Sequence, residues 1–240
     1  MEILNNLKIN LRGIQNLLSK IKSLLIAKIT GKDSQNIWAY LYRKAALETA
    51  DYVEKNMLTI PYFQTRNQLL KLSLSKVNVN GLFLEFGCGW QAKSINFIAN
   101  HIDETIHGFD SFEGLPDPWF GNFGKHSFSA GGKLPNVRKN VQLHAGWFDQ
   151  TLPEFLATYT DVVAFLHIDC DIYSSTKTIF DILGDRIVQG TVIQFDEYFN
   201  YPGWKNHEYK AFQEFIVDRG LNYEYLGYCE YSFTVAVIIK

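Results

Sequence analysis

Two hydrophobic periodicities divide this chain of 240 residues. Over residues 1–76 apolar positions recur at helical spacing. Leu4, Leu7, Leu11, Ile14, Leu17, Leu18, Ile21, Leu24 and Leu25 form one stripe, while Lys8, Arg12, Lys20 and Lys22 occupy other faces. Two further helices are predicted over Trp38 to Lys55 and Tyr62 to Ser75. From Gly81 onward the pattern alternates between short apolar runs and helical segments. The runs Leu82 to Phe86, Thr105 to Phe109, Val141 to Ala145, Val162 to Ile168 and Thr191 to Phe195 read as strands. Thr151-Leu152-Pro153-Glu154 has the form of a capping box with proline in the first turn, which predicts a helix start there. A second helix is predicted to open at Ser174 or Ser175, and a third to run from His207 to Arg219. Tyr223 to Leu226 and Phe233 to Ile239 are strands joined by a short turn, and so antiparallel neighbours. This alternation predicts an α/β fold, a doubly wound and mostly parallel seven-stranded sheet with a reversed strand near the C-terminus. The expected organisation is an N-terminal helical extension (1–76) followed by one α/β domain (77–240).

Composition narrows the function classes. Apolar residues make up 47% and charged residues 20%, a globular balance, and the net charge of −2 gives no general attraction to nucleic acid or anionic membrane. Three widely separated cysteines, Cys88, Cys170 and Cys229, make neither a disulfide framework nor a zinc site and fit a reducing cytoplasm. No run reaches the roughly 18 to 20 apolar residues that span a bilayer. The basic amphipathic stripe at the N-terminus is expected to pack on the core or on a second subunit, giving a homo-oligomer. Lying on a membrane surface is the less favoured reading.

The chemistry concentrates where strands end. The stretch Leu166-His167-Ile168-Asp169-Cys170-Asp171 closes an apolar run with two carboxylates, and buried charge is costly unless it is paired, hydrogen-bonded or bound to metal. Asp196 and Glu197 close the next strand. Adjacent parallel strands would gather Asp169, Asp196 and Glu197 above the sheet, an all-oxygen donor set suited to a hard ion such as Mg²⁺. Asp171 reads either as support for the loop or as the catalytic base. His167, on the buried strand, reads as a core histidine before a catalytic one. Upstream, Glu85-Phe86-Gly87-Cys88-Gly89 follows the first strand, and Asp110 ends the second. Glycines there let a ligand approach the backbone, and an acid at the second strand's end suits ribose hydroxyls. A dinucleotide fingerprint needs a third glycine for the pyrophosphate, where this chain has Gln91, Ala92 and Lys93. The pattern leans toward S-adenosylmethionine over NAD.

The segments "EFGCGWQAKSINFIA", "GFDSFEGLP", "GWFDQTLPEF", "LHIDCDIYSST" and "VIQFDEYF", in this order, resemble the macrocin O-methyltransferase family from about Arg66 to the C-terminus. The resemblance implies a Rossmann-like class I methyltransferase that uses S-adenosylmethionine and Mg²⁺ on hydroxyls of natural-product sugars. It also implies that Glu85, Gly87 and Ser94 line the methionine end, Asp110 and Ser111 hold the ribose, and Trp147 with Phe148 lies against the adenine. Asp169 would border both cofactor and ion. The chain departs from the family's pattern around Trp90 to Ala92, which lacks the usual glycine. Ile172 stands where catechol-type methyltransferases carry a lysine base, leaving Asp171 as the candidate. The long aromatic segment Pro116 to His126 is read as an acceptor-side lid or as a surface loop packing its own rings, with Asn200 to Asn206 as the facing wall. A small-molecule hydroxyl acceptor, a sugar or vicinal diol, is expected. The competing readings are a catechol or phenolic methyltransferase and a non-catalytic nucleoside-binding subunit.

Overall fold

A computed structural model describes residues 36–240, together with Ser19 and Lys22, both helical. The expectations for the N-terminal stripe fall outside the described residues. Ala45–Lys240 form one compact unit. In chain order the elements are α1 (Ile37–Asn56), β1 (Tyr62–Phe63), α2 (Arg66–Lys76), β2 (Leu82–Phe86), α3 (Lys93–Ala99), β3 (Ile106–Asp110), β4 (Val141–Ala145), α4 (Phe148–Thr158), β5 (Val163–Ile168), α5 (Tyr173–Leu183), β6 (Val192–Phe195), α6 (Glu208–Arg219), β7 (Tyr223–Cys229) and β8 (Val235–Ile239). Short 3₁₀ turns at Gly184–Arg186 and Trp204–Asn206 complete the set.

The strands form one sheet in the order β1-β7-β8-β6-β5-β2-β3-β4. β8 runs antiparallel to both β6 and β7, and the other pairs are parallel. This is the predicted doubly wound sheet, with eight strands in place of seven. The extra strand is Tyr62–Phe63, which pairs with Tyr228 and Cys229 on the edge. The helix predicted from Tyr62 therefore begins at Arg66, because Thr65 caps it in a box closed by Gln68. Strand order reverses between β5 and β2, the topological switch point where open α/β sheets bind ligands.

Each face of the sheet carries its own core. Leu84, Leu166 and Ile193 pack under Phe155, Phe180 and Phe212 on one face. Phe83, Phe165 and Val192 pack with Leu70, Ile95 and Ile98 on the other. Two helix starts differ from expectation. α4 begins at Phe148, one turn before Thr151, and Pro153 lies inside it; the Thr151 hydroxyl donates back to the Trp147 carbonyl instead of capping. α5 begins at Tyr173, and Ser174 turns its hydroxyl to Asp117 in the long loop, 2.9 Å away.

His107 of β3 is 3% exposed, with Nδ1 3.1 Å from His144 Nε2. Burial, then the neighbouring His144, lowers the His107 pKa from 6.5 to about 4. The folded state thus holds it neutral while the unfolded chain takes up a proton near pH 6.5. Stability should fall as pH drops from 6.5 toward 4 and level off below, at no more than roughly 1.4 kcal/mol per pH unit for one proton. Urea unfolding of His107→Gln at pH 7 and pH 5 should show a smaller difference than wild type. An unchanged difference would place the effect elsewhere.

Candidate active site

The hydrogen-bond ladder continues past the strand ends and aligns the loops that follow. Asp196 N donates to the Ile168 carbonyl, Asp169 N to Phe86, Gly87 N to Phe109 and Gly146 N to Asp110, each at 2.8–3.0 Å. These bonds put the loops after β6, β5, β2, β3 and β4 in one row across the switch point. Gly87 is held at φ +91, and a Cβ there would lie 1.7 Å from the Asp169 carbonyl oxygen. The first loop can approach β5 this closely because the residue is glycine. Gly89, at φ +60, has nothing within 4 Å of its Cβ position and borders open space.

On the cofactor side, Asp110 accepts from Gly89 N at 2.8 Å and from Phe112 N at 2.7 Å, one bond to each oxygen. The Ser111 hydroxyl accepts from Glu113 N. Glu85 is 0% exposed, bonded to the Ser94 hydroxyl at 2.9 Å and to His167 Nδ1 at 3.1 Å. Both Glu85 and Ser94 are thus engaged inside the core. Trp147 precedes α4, and Phe148 meets Phe86 edge-on at 5.1 Å. Ala92, where the expected glycine is missing, adopts a left-handed conformation at φ +46 ahead of α3.

On the acidic side, Asp169, Asp171 and Glu197 each offer an oxygen within 4.8 Å of the others. Burial, followed by the charge of Asp196, raises the pKa of Asp169 and Glu197 well above the carboxylate range and pushes Asp171 up to about 7. Asp196, expected as an ion ligand with Asp169 and Glu197, bonds to the Arg66 guanidinium and accepts from Thr234 at 3.3 Å. Arg66 also stands 3.7 Å from Asp169. His167 is fully buried between the two sides, with Nε2 3.9 Å from Asp196.

Two residues here were not singled out in the sequence. Arg66 lies within the helix predicted from Tyr62 to Ser75 with no motif around it. Glu208 reads as an ordinary acid in a helix's first turn. Neither carries a local signal, since the partner of Arg66 lies 130 positions away and those of Glu208 lie 11, 37 and 38 away.

The aromatic segment packs against the acidic side. Its base is closed by Leu115 N to the Ser127 carbonyl and His126 N to the Leu115 carbonyl. Trp119 and Phe120 both lie 5.3 Å from the Tyr201 ring, and the Tyr201 hydroxyl donates to the Glu197 carbonyl at 3.2 Å. The segment thus packs its own rings and also faces the Asn200–Asn206 wall.

Residues 84–198, from β2 to just past β6, match a family model described as a methyltransferase domain. Fold and matched domain together define a methyltransferase. Among solved structures the chain is similar to CalS11, a calicheamicin methyltransferase, at 19% identity and TM-score 0.59, covering 86% of this chain and 91% of that one. An apo structure of CalS11, described as a TDP-rhamnose 3'-O-methyltransferase, aligns over 72% of this chain and 78% of its own at 20% identity and TM-score 0.53. The O-methyltransferase NovP aligns over the same shares at 23% identity and TM-score 0.54. At these identities the likeness establishes the fold. A comparison with curated protein sequences gives no match. No described helix is long and apolar enough to cross a membrane.

The two glycines should respond differently to alanine. Gly89→Ala should cost about 1–2 kcal/mol, the strain of a left-handed residue. Gly87→Ala adds a collision with the Asp169 carbonyl and should cost well beyond that. Denaturant midpoints of the two variants, if equal, would show that the close approach to β5 is unimportant.

Proposed function

We propose that the protein is an S-adenosylmethionine-dependent O-methyltransferase acting on a hydroxyl of a small, sugar-like acceptor. The observation that carries the reading is the direct adjacency of the two sides, with Gly87 of the first loop against the backbone of Asp169. A methyl donor bound along the first loop would reach the acceptor at the carboxylates.

The residues suit both groups. Open space beside Gly89 and the fixed carboxylate of Asp110 at the end of β3 fit the nucleoside part of the cofactor. Half-buried carboxylates facing one another fit a hard divalent cation, and the Glu197 Oε2 atom is buried without a hydrogen-bond partner. Asp169 and Glu197 would hold the ion, with Asp171 or Asp196 as the third ligand. Asp171 has the nearer oxygen, and Asp196 would have to release Arg66. A bound Mg²⁺ acidifies and orients an alcohol. Asp169 and Glu197 fix where the hydroxyl sits, and Asp171 is placed to take its proton. The C–S bond of the sulfonium breaks as the C–O bond forms, leaving S-adenosylhomocysteine. The partly exposed Trp119 and Phe120 rings, backed by the buried Tyr201 ring, can cover the acceptor's apolar face. The sugar-like class rests on the acceptor named for CalS11 and on this aromatic surface.

S-adenosylhomocysteine should raise the melting temperature and NAD should not, with Asp110→Ala reducing the shift. A shift with NAD alone would overturn the cofactor assignment.

Methyl transfer to a sugar acceptor should stop in excess chelator while S-adenosylhomocysteine still binds. Asp169→Asn should lose at least about 100-fold in rate, a loss of roughly 2.7 kcal/mol. Comparing Asp171→Asn with Asp196→Asn in Mg²⁺ titrations identifies the third ligand, since that variant needs more Mg²⁺. A severe Asp171→Asn loss at unchanged Mg²⁺ requirement instead marks a base. Full activity in chelator would remove the cation from the mechanism.

A further inference from the structure

Glu208 is the first residue of α6 and is 0% exposed. Its carboxylate is not directed at another side chain. Oε1 accepts from Cys170 N at 3.3 Å and Asp171 N at 3.1 Å, and Oε2 accepts from Glu197 N at 3.2 Å. One buried carboxyl group therefore clamps the backbone of two loops, the one after β5 and the one after β6. Those loops carry Asp169, Asp171 and Glu197, the three residues whose oxygens converge.

The clamp acts on a strained turn. Asp171 sits at φ +65, and Ile172 N donates to the Cys170 carbonyl at 2.7 Å. An i to i+2 bond around a central residue of positive φ is a γ-turn of the rare, strained kind. Such a conformation persists only where its surroundings enforce it. The two bonds to Oε1 fall on the N–H of the strained residue and of the one before it. An alternative use of Glu208, as an acid favouring the helix N-terminus, would not need its burial or its three amide partners.

We propose that Glu208 is a positioning residue that sets the spacing of Asp169, Asp171 and Glu197 before any cation arrives. The inference rests on the cation-binding reading above. The clamp spares the site from ordering two loops when the ion binds. Outer residues that orient metal ligands typically change affinity by about 10–100-fold when replaced. Glu208→Gln keeps the shape, but its amide must turn an N–H₂ toward one of the backbone N–H groups, so at least one bond becomes a donor–donor contact.

The test uses Mn²⁺ as a hard divalent probe, titrated by calorimetry into the full-length protein, beside S-adenosylhomocysteine. Glu208→Gln should weaken Mn²⁺ at least tenfold and leave S-adenosylhomocysteine affinity within about twofold, a split that general loss of structure would not produce. Mn²⁺ affinity within twofold of wild type, in a folded variant, would overturn the proposal. A second measurement needs no variant. In metal-free wild type the Cys170, Asp171 and Glu197 amides should already exchange slowly with deuterium, and Mg²⁺ should change them little. Amides that exchange freely until Mg²⁺ is added would overturn the proposal even if Glu208→Gln fails to fold. Should wild type bind no Mn²⁺ at all, the cation reading falls, and amide protection alone judges whether Glu208 organises the two loops.

Discussion

Like charge held out of water is the constraint around which this site is built. Asp169, Asp171, Asp196, Glu197 and Glu208 meet where β5 and β6 end, and among the described residues the Arg66 guanidinium is bonded to them. Carboxylates in such a setting either protonate or find compensating charge. The raised pKa values of Asp169, Asp171, Glu197 and Glu208 express the first response, with burial as the largest cause in each. Backbone amides supply part of the second through Glu208, and Arg66 supplies more through Asp196. Among the described residues Asp171 and Glu197 have no ion pair and Asp169 has only the 3.7 Å contact with Arg66, so an added cation would be most favourable there. A site arranged this way gives up stability in its empty form for function in its filled form.

The two sides of the site are joined through the core as well as through the loops. Glu85, His167 and Gln194 stand in one register across β2, β5 and β6. Ser94 reaches Glu85 from α3, and Ser73 reaches Gln194 from α2 at 2.8 Å. His167 spans the gap between Glu85, below the cofactor loop, and Asp196, at the acidic end. The row is only partly satisfied, since His167 Nε2 and Gln194 Nε2 are buried without hydrogen-bond partners. Its bonds from Glu85 to Ser94 and His167, and from Ser73 to Gln194, tie α3, α2 and the central strands together beneath the loops.

Much of this was legible in the chain because strands buried on both faces leave unambiguous apolar runs. Val163–Ile168 and Val192–Phe195 could be read within a residue, and an acid directly after such a run is conspicuous. Helix starts were less legible. Thr151-Leu152-Pro153-Glu154 matches a capping signal, yet the helix begins a turn earlier, where Phe148 packs on the core against Phe86. The short strand Tyr62–Phe63 exists only because β7 offers an edge. The partners of the acids were the least legible. That Asp196 meets Arg66, and that Glu208 clamps the loops holding Asp171 and Glu197, depends on how α2 and α6 pack against the sheet, which no local pattern encodes.

The site's floor and roof are made by different physics, and this bears on what can enter. The floor is the extended ladder with its carboxylates, fixed by backbone bonds near 2.9 Å. The roof is a loop with no regular structure, closed at its base by Leu115 and Ser127 and held above by ring contacts among Trp119, Phe120, Phe123 and Tyr201. Tyr201 couples the two, since its ring lies under Phe120 and its hydroxyl meets the Glu197 carbonyl. Under the proposed reading, an acceptor with hydroxyls on one edge and a C–H face on the other would meet both surfaces together, as a sugar ring would. A flat acceptor with no polar edge would meet the roof but leave the carboxylates without a partner.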